Sequence, residues 1–135
     1  MMMRAFIKFN KGLLKQPFHV QLWLVLLVAV NLVIPLFYLG RIEARVVALT
    51  FLIAAALMTV LTALSGFSRL LGLGHFVWFP LLYFLWTGLE QIPADDFFGI
   101  WVRVLMILNA ISLVIDVVDV IRYIAGDREE TVEGL

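Results

Sequence analysis

The feature that most constrains this chain is the length of its apolar runs. Soluble domains carry hydrophobic residues in short periodic groups, whereas here apolar stretches follow one another with few interruptions. A helix needs roughly 20 mainly apolar residues, at about 1.5 Å each, to cross about 30 Å of hydrocarbon. Four segments meet or approach that length: Phe18 to Leu39, about Val46 to Gly66, Leu70 to Leu89, and Phe97 to Ala125. The third is the shortest in strongly apolar residues and is interrupted by Pro80; it reaches full length only with Leu70 to Gly74 included. Composition agrees, with 64% hydrophobic and 15% charged residues against about 45–50% and 25% in soluble domains. The expected fold class is therefore all-α: a polytopic membrane protein of four transmembrane helices, preceded by an amphipathic interfacial helix.

Orientation follows from Lys and Arg, which concentrate in the short loops on the cytoplasmic side. With the N-terminus inside, Arg4, Lys8, Lys11, Lys15, Arg69, Arg122 and Arg128 are cytoplasmic, against Arg41, Arg45 and Arg103 outside. Both termini are then cytoplasmic, and the expected location is the bacterial inner (plasma) membrane. The same register sets Trp23 and Trp78 toward the inner interface, and Trp86 and Trp101 toward the outer one, as aromatic belts require. A cleaved signal peptide is not expected, because the first apolar run is too long for an h-region.

Residues 1–16 place Arg4, Lys8, Lys11 and Lys15 at steps of four, three and four, one narrow helical stripe. Met3, Phe6, Ile7, Leu13 and Leu14 fall largely on the other side. That is the pattern of a helix lying in the membrane surface with its cations toward anionic head groups. Residues 126–135 form an acidic cytoplasmic tail, with Gly126 set to end the last helix. An electrostatic contact between tail and basic helix is one expectation, a solvated tail the other.

Small and hydroxyl residues mark a packing face on the second span. Ala44, Ala48, Ala55, Thr59, Thr62 and Gly66 fall within an arc of about 80° when counted at about 100° per residue. Helices in lipid associate through close van der Waals contact and interhelical hydrogen bonds, so this face should meet another span or another copy of the chain. Homo-oligomerisation, or incorporation into a membrane complex, is expected.

The candidate functional residues lie on the fourth span, where Asn109, Ser112, Asp116, Asp119 and Tyr123 share one face. Carboxylates in a span are costly and mark ion or substrate pathways, or else pair near a helix end. Counted from Phe98, Asp116 and Asp119 stand about 27 and 31 Å along the helix, close to the inner interface, where Arg69, His75 and Arg122 are the available partners. His75 belongs to the residue type whose charge changes near neutral pH. Asn31 lies near mid-membrane, four residues before Pro35, which lacks an N–H and crowds the Asn31 carbonyl. Asn31 should either pair with Asn109 or coordinate a permeating ion or water. On the outer side, Arg103 is expected in an ion-pair layer with Glu90, Glu43 or Asp95.

Several chemistries are disfavoured. The absence of Cys excludes a disulfide scaffold, a thiolate metal site and a thiol nucleophile. Ten Lys and Arg balanced by ten Asp and Glu leave no positive excess for nucleic acid. The only histidines, His19 and His75, both fall toward the cytoplasmic edge, so haem ligation is not expected, and Ser65, Ser68 and Ser112 lack a Gly-x-Ser-x-Gly context. Asp116 and Asp119 have a spacing that can share a divalent metal, but no further phosphatidyl-transfer motif accompanies them. No cofactor, metal or enzymatic activity is expected. Two functions remain: an oligomeric channel or transporter for ions or small polar solutes, with Asp116, Asp119, Asn109, Ser112, Asn31 and His75 along its path; and a non-catalytic subunit that anchors or assembles a larger membrane complex.

Overall fold

The computed structural model of the chain describes residues 2–66 and 69–126, and among these there is no strand. Five α-helices carry the architecture: α1 (Met2–Leu14), α2 (Phe18–Leu36), α3 (Ile42–Ser65), α4 (Trp78–Gly88) and α5 (Phe97–Ile124). A 3-10 stretch, Arg69–Val77, leads into α4, and a short one, Leu89–Gln91, leaves it. Phe18–Leu36, Ile42–Leu64 and Phe97–Ile124 are long and apolar enough to cross a membrane. The third expected span, residues 70–89, is not one such helix. It divides between the 3-10 stretch and the 11 residues of α4.

The ends of the helices follow local chemistry. Pro17, with φ −55° and ψ 155°, precedes α2, where its missing N–H costs nothing. α3 starts at Ile42, earlier than the apolar run suggests, with Glu43 in its first turn favourable to the helix dipole. It ends at Gly66 with φ 72°, a backbone region that glycine enters without steric cost. The Asp96 side chain accepts a hydrogen bond of 2.8 Å from the Gly99 N–H and so caps α5. Gly126, φ 118°, follows its other end, as expected. The acidic tail, residues 127–135, lies outside the described residues.

Contacts between elements give the topology. Tyr38, just after α2, stacks on Phe97 and Trp101 and packs on Phe98 at the start of α5, while the Arg41 guanidinium lies 4.0 Å over the Phe98 ring. Far along α5, Asp116 meets His75, and Gly74 approaches Ala54 and Met58 of α3. Residues 69–91 therefore run back from the end of the bundle where α3 finishes to the end where α5 begins. Most of the buried core, including Val47, Leu81, Leu85, Val102 and Leu105, gathers between α3, α4 and α5.

The nine-residue 3-10 stretch explains its own sequence. With three residues per turn, side chains three apart eclipse one another. Leu73, Phe76 and Phe79 accordingly form one exposed row. Gly74 faces α3, where an added Cβ would meet the Met58 side chain. His75 stands in register with Trp78, their rings 4.0 Å apart and 9° from parallel. The stretch packs against both α3 and α5.

α1 differs from a helix lying free on a surface. Ala5, Phe9 and Gly12 are buried, and Phe9 packs against Met58 and Leu61 of α3. At about 100° per residue this packed face borders the basic stripe on one side, and the exposed apolar residues Met3, Phe6, Ile7 and Leu14 border the stripe on the other. Gln21 of α2 fastens the junction, its side-chain amide donating to the Leu14 and Gln16 carbonyls at 2.7 and 2.8 Å. The packing face of α3 is used within the chain: Ala44, Ala48, Thr59 and Thr62 are buried, Ala55 and Gly66 partly so, against α1, the 3-10 stretch and α4. The Thr59 and Thr62 hydroxyls donate to their own helix, to the Ala55 and Met58 carbonyls.

One expectation for the other end is corrected. Arg103 donates to the backbone carbonyls of Ile92 (2.9 Å), Pro93 (3.4 Å) and Gly99 (3.1 Å), so it closes the loop before α5 instead of pairing with a carboxylate. The loop comes so near α5 that a Cβ on Gly99 would collide with the Pro93 backbone oxygen. Trp78 and Trp101 are buried core residues, while Trp86 is exposed; apolar position along the chain does not reveal which side of a helix meets protein.

Candidate functional site

The polar stripe of α5 divides into two environments. Asn109 is fully buried opposite Asn31 of α2, and each side-chain amide donates to the other's oxygen, at 2.9 and 3.0 Å. The Asn31 amide also donates to the Leu27 carbonyl at 3.0 Å. The pairing anticipated from depth is therefore present, and it leaves both residues enclosed.

Pro35 organises the same level. The chain forms a π turn over Ala29–Val33, in which the Ile34 N–H reaches back to the Ala29 carbonyl. The Val30 carbonyl thereby loses its α-helical donor, and the π-helical donor would be the N–H that Pro35 lacks. The Trp101 indole N–H takes that place, donating to the Val30 oxygen at 2.8 Å. The sequence points to the Asn31 carbonyl as the freed group; the π register moves the vacancy back by one residue.

Two turns further along α5, Nδ1 of His75 lies 2.6 Å from Oδ2 of Asp116, and each side chain keeps 15% of its surface exposed. An ionised carboxylate only accepts, so Nδ1–H donates and Nε2 is left for another partner. The pair joins the 3-10 stretch to α5. Trp78, stacked on His75, is 1% exposed, and among the described residues its indole N–H has no hydrogen-bond partner. Ser112 is buried between the two levels, and Asp119, half-buried, Arg122 and Tyr123 all have partners. Along the stripe Asn109 and Ser112 are thus buried, and Asp116 and Asp119 half-buried. The Arg69 side chain lies outside the described residues. Among the described residues no group of three or more His, Asp or Glu is placed to hold a metal ion.

Sequence reasoning overlooked the aromatic members of both sites. Trp78 and Trp101 were assignable only to an interface, and the signal for Trp78 is the spacing of three in Leu70, Leu73, Phe76 and Phe79, which belongs to a 3-10 period. On α1, Arg4, Lys11 and Lys15 are exposed and Lys8 is half-buried, Arg4 and Lys8 bordering a groove against Thr62 and Ala63 of α3. Comparison of the chain with protein-family models, curated proteins and solved structures finds no match.

Proposed function

We propose that this protein is a small integral membrane protein that acts as a non-catalytic subunit, anchoring or assembling a larger membrane complex. The observation that carries this reading is the closed Asn31–Asn109 pair: the polar groups nearest mid-membrane satisfy each other inside one chain, as structural glue does, and neither is left to line a path. In this reading the chain crosses four times. The 3-10 stretch rises about 2.0 Å per residue and α4 about 1.5 Å, so that together they extend over about 34 Å, enough for one bilayer. Both termini are cytoplasmic, α1 lies against the inner leaflet of a bacterial inner membrane, and its cations meet anionic head groups.

One observation favours a second reading, an oligomeric channel or transporter for ions or small polar solutes. His75 and Asp116 are in contact yet partly exposed, a combination that proton and ion pathways require. Native mass spectrometry on protein gently extracted from its own membranes separates the two. Stoichiometric recovery with a different protein is the expected result. A closed homo-oligomer without partners, with liposome flux that Asp116→Asn alters, would replace the subunit reading by the transport one.

A further inference from the structure

A groove of about 510 Å³ opens between the end of α4 and the first turns of α5, lined by Trp86, Thr87, Leu89, Glu90 and Arg103. It holds opposite charges that do not meet: among the described residues neither Glu90 nor Arg103 has an ion-pair partner. Arg103 is tied elsewhere, its Nη1 and Nη2 atoms donating to the Ile92, Pro93 and Gly99 carbonyls. Arginine has five N–H donors, so three such bonds leave two for a ligand, and neutral carbonyls leave the charge uncompensated. Glu90 is exposed on the α4 side. Beside it the Thr87 hydroxyl donates to the Phe84 carbonyl at 2.9 Å, so it meets a ligand only as an acceptor. Trp86 is 68% exposed, and with Phe79 and Tyr83, at steps of four and three, it forms an exposed aromatic row along α4 that leads to the groove.

We propose that this groove binds the head group of one zwitterionic phospholipid with a primary ammonium, of the phosphatidylethanolamine type. Arg103 holds the phosphate, the Glu90 carboxylate and the Thr87 oxygen accept from the ammonium beside the Trp86 ring, and an acyl chain lies along the aromatic row. The donor set decides between ligands. An anionic head group satisfies Arg103 but sets Glu90 against it. A trimethylammonium is attracted to the Trp86 ring yet has no N–H for Glu90 or Thr87. A soluble zwitterion matches the charges and leaves the aromatic row uncovered. The site rests on the membrane reading above, which puts this end at the outer leaflet, and adds to it a fixed stoichiometry and a head-group preference.

The test uses the full chain in nanodiscs of phosphatidylethanolamine, phosphatidylcholine and phosphatidylglycerol in equal amounts, released into a mass spectrometer under mild activation, with vesicle flotation run in parallel. Wild type should keep one phosphatidylethanolamine in preference to both other lipids. Glu90→Gln should lower the preference over phosphatidylglycerol about fivefold, as loss of one exposed charge pair allows, and Trp86→Leu about threefold, while circular dichroism reports unchanged helix content. Glu43→Gln, in the first turn of α3 at the same end of the bundle but outside the groove, should leave the preference unchanged. Retention in proportion to bulk composition, an unchanged preference in Glu90→Gln, or an equal loss in Glu43→Gln would overturn the site. So would binding of free phosphoethanolamine, added to the protein in detergent, with no phospholipid retained. Failure of the wild type to float with vesicles would overturn the membrane reading together with it.

Discussion

At the level of Asn31 and Asn109 every polar side chain is enclosed and bonded within the chain, whereas two turns further along α5 the His75–Asp116 pair keeps 15% of each side chain exposed. Both are contacts between α5 and a neighbouring segment, yet their surroundings differ. Around the asparagines, α2, α3 and α5 converge with the largest buried core, and the loop before α5 is folded down by Arg103. Around the histidine, a 3-10 stretch replaces an α-helix. Full enclosure turns a polar pair into a structural fastening, because neither partner has an alternative; partial exposure leaves groups that can exchange partners with water or solute.

The comparison can be broken or sharpened by substitution, with stability followed by SDS-induced unfolding monitored by circular dichroism. The largest effect is expected for Gly99→Ala. The added Cβ collides with the backbone oxygen of Pro93, which no side-chain rotation relieves, so the loop must lift at a cost of about 3 kcal/mol. Next comes Asn109→Ala, which leaves the buried Asn31 amide without its partner at about 1–2 kcal/mol. Replacing both asparagines by Leu should recover most of that loss, since no polar group is then stranded. At the other end, Gly74→Ala meets Cγ of Met58, which only a change of the Met58 rotamer moves away, so a loss of about 1 kcal/mol is expected. Asp116→Asn should be the mildest, about 0.6 kcal/mol, because an amide oxygen still accepts from His75. A larger loss for Asp116→Asn than for Asn109→Ala would show that both ends are structural fastenings.

How far the sequence could be read depends on the kind of information each feature carries. The apolar runs from Phe18, through the second span and from Phe97 are legible because crossing hydrocarbon is a matter of length and composition, local properties of a chain. The Asn31–Asn109 pairing was legible as one of two outcomes, since both residues stand at similar depth. Residues 70–89 were harder. Their apolar content suits a span, but the change from 3-10 to α-helix at Trp78 depends on Gly74 fitting against α3 and His75 reaching Asp116.

What the sequence by itself determined is the all-helical, membrane-suited character of the chain, the single basic stripe of α1 and the shared face of the α5 polar residues, all consequences of composition and helical period. Only the tertiary structure decided which of those polar residues are enclosed, which carbonyl the Pro35 π turn frees for Trp101, that Arg103 serves backbone oxygens, and that α1 turns Ala5, Phe9 and Gly12 toward α3. The physical reason is that depth and face are one-dimensional properties of a helix, whereas a hydrogen-bond partner is chosen by how neighbouring helices cross, and that crossing is set by contacts between residues far apart in the chain.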